Sequence, residues 1–299
     1  MYFLYLTGYY LAKVLPIKVC YVIAGVVARI YFIFAKKDKA NLRSNLKVIL
    51  AGEASEALIG RHIFEIFKNF AKYLADFVKF TKFSPEYIEK NINIEGRHFI
   101  DECLREGKGI ICVALHLGNW ELGGAILPAL GYPMSAIVLE HKDKRTNDFF
   151  VRQRAINNLK SIHISIALKK CFAALKNNEL LAIVGDKDYT STGEYVDFFG
   201  RKALLPKGPA VLSLKTGAPL VFSCLIREKG DKFKFVFEEP IKPVSTGDLK
   251  KDMHNLMSRY IKTFERYIRQ YPDQWYAFNR VWEDETLQDV KSPITSKQE

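Results

Sequence analysis

The sequence predicts an α/β fold: a mixed central sheet with helices on both faces, preceded by an amino-terminal hydrophobic anchor and a helical region. Three observations carry this. Residues 109–115, GIICVAL, form a short uncharged run, the pattern of a strand buried on both faces. From Ile92 onward, strand-like and helix-like stretches alternate, as they do where helices cover both faces of a sheet. Residues 1–35 are apolar and aromatic and differ in composition from the rest of the chain.

In order along the chain, the longest apolar run of the amino-terminal segment, Val19 to Ala35, covers 17 residues and contains Arg29. A spanning helix needs about 20 apolar residues, so the run reads as a membrane anchor that either spans or lies in the interface. A pair of buried core helices is the alternative. No small-residue cleavage site comes after it. Lys36, Lys37 and Lys39 come next, as expected of a cytoplasmic flank. Residues 40–95 read as helical, with Ile63, Phe67, Phe70, Leu74 and Phe77 forming an apolar stripe at three- and four-residue spacing and Ser84-Pro85 restarting the chain. Strands are predicted at 110–115, 135–139, 162–166, 180–184, 219–226 and 232–237. Helices are predicted near 98–106, 121–130, 147–159, 167–177, 207–216 and 249–270. The polar tail over 286–299 is expected to be disordered.

Composition narrows the functional classes. The chain has 299 residues, 48% hydrophobic and 26% charged, which is globular. A net charge of +12 points to a polyanionic partner, whether nucleic acid, an anionic membrane or an acidic protein. The five cysteines are widely spaced and include no C-x-x-C pair, which excludes a disulfide framework or a cysteine zinc site.

Several stretches carry candidate chemistry. His116 stands at the carboxyl end of the buried strand, where open α/β sheets place their active groups. After the turn at Leu117-Gly118-Asn119, Trp120-Glu121 opens a helix. That turn can aim Glu121 back at the imidazole, fixing its tautomer and leaving the other ring nitrogen to take a proton. A helix with an incidental histidine gives the same spacing. The strand at 180–184 runs into Gly185-Asp186-Lys187-Asp188, placing carboxylates at the same sheet edge; two aspartates without further ligands name no metal. Lys207 and Gly208 precede Pro209 at a helix start, a favoured place for anions. The segment TNDFFVRQR, 146–154, offers Arg152 and Arg154.

HLGNWE after an apolar strand resembles the H-x4-D/E motif of the glycerolipid acyltransferase superfamily, and in particular the late acyltransferases of lipid A biosynthesis. Asn41-Leu42 and Asn45-Leu46, the two phenylalanines before Arg154, the Gly-Asp-x-Asp turn, YVDFFGRKALLPKGPAVLSLKTGAPLV at 195–221 and QWYAFNRVW at 274–282 resemble the family in the same order. The resemblance implies an acyltransferase domain over 36–285 behind an anchor at 1–35, on the cytoplasmic face of the inner membrane. It implies transfer of a fatty acyl group from acyl carrier protein to a hydroxyl of a lipid A precursor, without cofactor or metal. His116 would be the general base and Glu121 its partner. Arg154, Asp186, Asp188, Asn119, Lys207 and Gly208 would bind substrate. An acyltransferase acting on another lipid, such as a lysophospholipid, is the nearest alternative. A basic nucleic-acid-binding protein accounts for the charge but not for the anchor, and no nucleic-acid-binding motif is present. No G-x-S-x-G elbow occurs, so a covalent acyl-enzyme is not expected.

Overall fold

A computed structural model describes residues 2–52, 54–79 and 83–282. The tail expected to be disordered lies outside the described residues. The chain opens with helices α1 (Tyr2–Val14), α2 (Ile17–Phe34), α3 (Lys36–Ile49), α4 (Glu56–Lys79) and α5 (Pro85–Asn91). Next come β1 (Ile92–Glu95), α6 (Arg97–Arg105), β2 (Ile110–Ala114), α7 (Trp120–Ala129), β3 (Met134–Val138), α8 (Lys144–Ala155) and β4 (Lys160–His163). The carboxyl-terminal half holds α9 (Ala167–Lys176), β5 (Leu180–Val184), β6 (Glu194–Phe198), β7 (Arg201–Leu205), α10 (Gly208–Thr216), β8 (Leu220–Arg227), β9 (Phe233–Phe237) and α11 (Leu249–Gln270).

Seven strands form one sheet in the order β1-β9-β8-β2-β5-β3-β4. All pairs are parallel except β8 with β9, which makes the sheet mixed. The central strand β2 shows why its sequence carries no polar residue. Ile110 and Cys112 point into one core and Ile111 and Val113 into the other, and all four are sealed from solvent. One core is closed by α9, α10 and α11, the other by α6, α7 and α8, and α4 contributes Phe67 to the first and Phe77 to the second.

Local signals account for the boundaries. Ser84 caps α5 by accepting from the Tyr87 amide, with Pro85 in the first turn. Asp143 caps α8 by accepting from the Thr146 amide, so this helix starts at Lys144 rather than near 147. The strand expected at 162–166 is instead β4, Lys160–His163, followed by a short 3-10 turn. Two elements were not expected. β1 is an edge strand of four residues, and the loop-like stretch before Gly208 is the β6–β7 hairpin. Its two turn residues, Phe199 (φ 57°) and Gly200 (φ 74°), both adopt the left-handed region that a tight hairpin requires. Phe198 and Phe199 are buried in the core beside Trp282.

Helix α2 lays Tyr21, Ala24 and Ala28 inward, and its contacts are mainly with α4. Val22, Val26, Val27, Ile30, Ile33 and Phe34 face outward and are exposed. Among the described residues it is the one helix long and apolar enough to cross a membrane.

Candidate active site

Register explains how the site is assembled. On the adjacent parallel strands β2 and β5, Ala114 stands opposite Val184. Two residues further along each strand come His116 and Asp186, delivered side by side at the carboxyl edge. The His116 ring Nδ1 lies 2.7 Å from Asp186 Oδ1, and the His116 amide donates to Oδ2 at 3.1 Å. The indole Nε1 of Trp275 donates to the same Oδ2 at 2.9 Å. Asp186 is 3% exposed and His116 22% exposed, so the carboxylate is sealed while the imidazole reaches a cavity. Burial alone would raise the Asp186 pKa. The positive charge of His116 and the hydrogen bonds from its ring, from Trp275 and from the His116 amide outweigh burial and hold the carboxyl below the usual carboxylate range.

Glu121 occupies a different place from the one expected. It does not serve the imidazole; the guanidinium of Arg154 takes both its oxygens, Nε to Oε2 at 2.9 Å and Nη2 to Oε1 at 2.5 Å. The reason is direction. Glu121 stands in the first turn of α7 and meets α8, whereas the Nδ1 side of His116 is already filled by the in-register neighbour on β5. Arg154 is buried and bidentate and lines the cavity with Glu121, while Arg152 is exposed and donates to the Asp148 carbonyl on its own helix.

The turn between His116 and α7 is built for close approach. Gly118 has φ 63°, and a Cβ there would stand 2.0 Å from the Leu225 carbonyl oxygen. Asn119, expected to bind substrate, is buried, and its amide is engaged within the protein. Its Oδ1 caps α7 by accepting from Leu122 N at 3.0 Å, and its Nδ2 donates to Asp76 at 2.7 Å. Asp76 also accepts from Tyr21 of α2 and from Arg227 at the end of β8. Asp188 lies along the cavity, but its oxygens accept from Thr190 and Gly193 of its own turn. Lys207 and Gly208 line a second cavity at the start of α10.

The two cavities share the surface around His116. One, of about 880 Å³, is lined by Phe70, Tyr73, Trp120, Lys187, Lys202 and Tyr276. The other, of about 1000 Å³, runs under α7 along Gly123, Gly124, Leu127, Ala136, Ala182 and Phe235. Trp120 sets its ring edge-on to His116 at 5.0 Å and stacks on Tyr73 at 4.3 Å. Sequence reasoning misses Trp275 and Asp76. By sequence Trp275 reads as closing aromatic packing, and Asp76 sits in a helix whose apolar stripe marks it as core.

The fold is an α/β sheet with a histidine at its carboxyl edge, and the family match makes the protein an O-acyltransferase. The chain belongs to the bacterial lipid A biosynthesis acyltransferase family, whose profile matches residues 1–284. It is similar to the phosphatidylinositol mannoside acyltransferase of Mycobacterium tuberculosis, 23% identical over 263 residues that cover 86% of this chain and 81% of that protein. The protein of that name from Mycolicibacterium smegmatis is 22% identical over 286 residues, covering 93% and 90%. The lipid A biosynthesis palmitoleoyltransferase of Escherichia coli is 24% identical over 197 residues, covering 65% and 63%.

Proposed function

We propose that this protein moves a fatty acyl chain from acyl carrier protein to a hydroxyl of a lipid A precursor, with His116 as general base and Asp186 as its orienting carboxylate. The observation that carries the reading is the 2.7 Å contact between His116 Nδ1 and Asp186 at the mouth of two adjoining cavities. With Nδ1 held by a carboxylate, Nε2 is left to take the acceptor's hydroxyl proton. The oxygen then attacks the thioester carbonyl, the C–O bond forms, the C–S bond breaks, and the thiolate recovers the proton from the imidazolium. Asp186 stabilises that imidazolium. The Glu121–Arg154 pair fixes the first turn of α7 against α8 and so shapes the wall beside the reacting centre. This replaces Glu121 as the direct partner of the histidine.

The cavity under α7 suits an apolar chain, and the aromatic cavity with Lys187 and Lys202 suits a sugar-borne, anionic acceptor. Another glycolipid acceptor is the second reading. It is favoured by the mycobacterial relatives named for acylation of phosphatidylinositol mannoside, which match this chain over more of its length than the Escherichia coli one. The exposed apolar face of α2, with Lys13, Lys18, Lys36 and Lys37 beside it, supports a seat in the interface of the inner membrane on its cytoplasmic face. The net charge of +12 suits an acidic carrier protein as donor. The purified enzyme, given acyl carrier thioester or the coenzyme A thioester with a lipid A precursor or a lysophospholipid, should acylate the precursor from the carrier. Salt should raise the Michaelis constant for the carrier-bound donor more than for the coenzyme A thioester. Equal use of both donors without a salt effect would remove the carrier from the reading, and acylation of the lysophospholipid alone would remove the lipid A acceptor.

A further inference from the structure

The segment around Trp275 is tied to the His116 loop through backbone and side chains. The Gly118 amide donates to the Gln274 carbonyl at 2.9 Å, and the Tyr276 amide donates to the His116 carbonyl at 2.8 Å. Gln274 exchanges two further bonds with the Arg227 backbone at the end of β8, accepting at 3.0 Å and donating at 2.9 Å. This strap therefore pins the loop on either side of His116 and holds Trp275 between two fixed residues. Trp275 is 2% exposed, and its indole N–H is aimed at Asp186 rather than at a main-chain carbonyl.

We propose that Trp275 is a positioning residue for the acyl transfer: its indole N–H holds the Asp186 carboxylate in the plane and charge state that orient His116. The proposal rests on the reading of His116 as general base. Trp275 does pack edge-on against Phe198 at 6.2 Å, but packing calls for no donor. The donor matters because Asp186 Oδ2 accepts from two N–H groups, the His116 amide and the indole, while Oδ1 faces the ring. Without the indole, Oδ2 keeps only the amide, so the plane of the carboxylate is less firmly fixed and one donor that draws its charge away from the ring is gone. More negative charge is then left facing the imidazole, so the protonated ring is held more strongly. The rate is affected in two ways. Turnover falls because the ring is less well oriented, and the acid limb of kcat/KM moves to higher pH.

The other titratable and charged groups that line the cavities around the ring are Tyr73 of α4, His141 after β3, and Lys187, Asp188 and Tyr189 after β5. Tyr276 of the strap, Glu121 of α7 and Arg154 of α8 line them too, with Tyr195, Lys202 and Arg280 in the first cavity and Glu140, Lys142, Cys171, Lys207 and Cys224 in the second. None of these is hydrogen-bonded to the indole nitrogen, whose partner is Asp186, so the limb reports the Asp186 contact.

The test uses the full-length protein in neutral detergent. Trp275→Phe removes the N–H with part of the ring. A second variant carries 3-benzothienylalanine at position 275, which keeps the indole outline and puts sulfur where the N–H was. The expected result for both is a fall in kcat of about tenfold, as for losing one hydrogen bond to a charged group. KM should stay within about twofold, since the sealed ring does not reach either cavity, and the acid limb should rise by roughly half a pH unit. A benzothienyl enzyme with wild-type kcat and an unmoved acid limb overturns the proposal. So does a rate loss in either variant that follows only the folded fraction in a melting curve while the limb stays in place. The His116→Ala enzyme, run in parallel, separates the two levels. If it is inactive and the limb of the Trp275 variants is unmoved, the role of Trp275 alone falls. If it retains the wild-type rate, the general-base reading falls and takes the Trp275 role with it.

Discussion

Two buried aspartates brace the same loop from opposite ends, and they are tuned in opposite directions. Asp186 holds His116, and Asp76 holds Asn119 three residues later. Burial acts on both to raise the carboxyl pKa. For Asp76 it prevails, pushing the group above the usual carboxylate range against the pull of Arg227 and of hydrogen bonds from Tyr21, Arg227 and Asn119. For Asp186 the His116 charge and three hydrogen bonds prevail over burial. The difference lies in where the partners lead. The partners of Asp76 are Tyr21, Asn119 and Arg227, side chains that are themselves buried or nearly so, and they join α2, α4, the loop before α7 and the end of β8. The principal partner of Asp186 opens onto a cavity. A buried carboxylate with inward-facing partners serves the fold; one that passes its charge to an accessible imidazole can serve chemistry.

The widest separation between the two is expected from their removal. Asp186→Asn and His116→Ala should each lower kcat of the folded enzyme by about 10²–10⁴-fold, and the double variant should lose no more than either single, because the two act as one unit. Asp76→Ala should show the reverse. It strands the buried Arg227 guanidinium, and breaking such a pair costs about 3–5 kcal/mol, read as a shift in denaturation midpoint, while the folded fraction keeps much of its turnover. A stable but inactive Asp76→Ala enzyme would break the comparison.

Glu121 and Arg154 form a third buried network that lies between these cases. Either single change, Glu121→Gln or Arg154→Met, should destabilise by several kcal/mol, about 3–5, and the double change by less than the sum. Denaturant titration of the four forms measures the coupling. Exposed Arg152→Ala should leave stability and kcat/KM near wild type. If Arg152 proved the more sensitive of the two arginines, the wall beside the reacting centre would be assigned to the wrong residue.

A smaller effect concerns pH. The folded-state pKa of Asp186 is depressed, so its contribution to stability is present above the ordinary aspartate value of about 3.9 and is lost as pH falls through the lower folded value. The stability gap between wild type and Asp186→Asn should therefore close in acid. A gap that widened in acid would reverse the sign assigned to this carboxylate.

The smallest effect belongs to the link between α2 and the loop. Tyr21→Phe removes the hydrogen bond to Asp76 and the one that its hydroxyl accepts from Arg227, and should cost about 2 kcal/mol. Flotation with anionic vesicles should not change, because Tyr21 faces α4. Serine at Val26, Ile30 and Ile33, on the outward face, should abolish flotation and leave turnover in detergent intact. Vesicle binding that survived the serine changes would remove α2 as the seat on the membrane.

Much of this protein can be read in its sequence. The strands at Ile110–Ala114, Met134–Val138, Leu180–Val184, Leu220–Arg227 and Phe233–Phe237 announce themselves as short, mainly apolar runs, the pattern of strands covered on both faces. The helix at Leu249–Gln270 and the glycine-and-proline punctuation around Gly208–Thr216 are equally local signals. The β6–β7 hairpin is hidden because its turn uses Phe199 in a conformation usually left to glycine or asparagine. His116 at a strand end is legible for the same local reason as the strand. Its partner is not. Spacing along the chain puts Glu121 within reach, but the order of strands in the sheet and the register of Ala114 with Val184 put Asp186 there instead. Trp275 arrives from 89 positions beyond Asp186, on a strap that only closes when the sheet, α11 and the His116 loop are already in place. Periodicity and turn chemistry are written in neighbouring residues, so the sequence alone determined most of the elements, β1 and the β6–β7 hairpin excepted. Which side chains share a proton depends on contacts across the sheet, and those the tertiary structure decided.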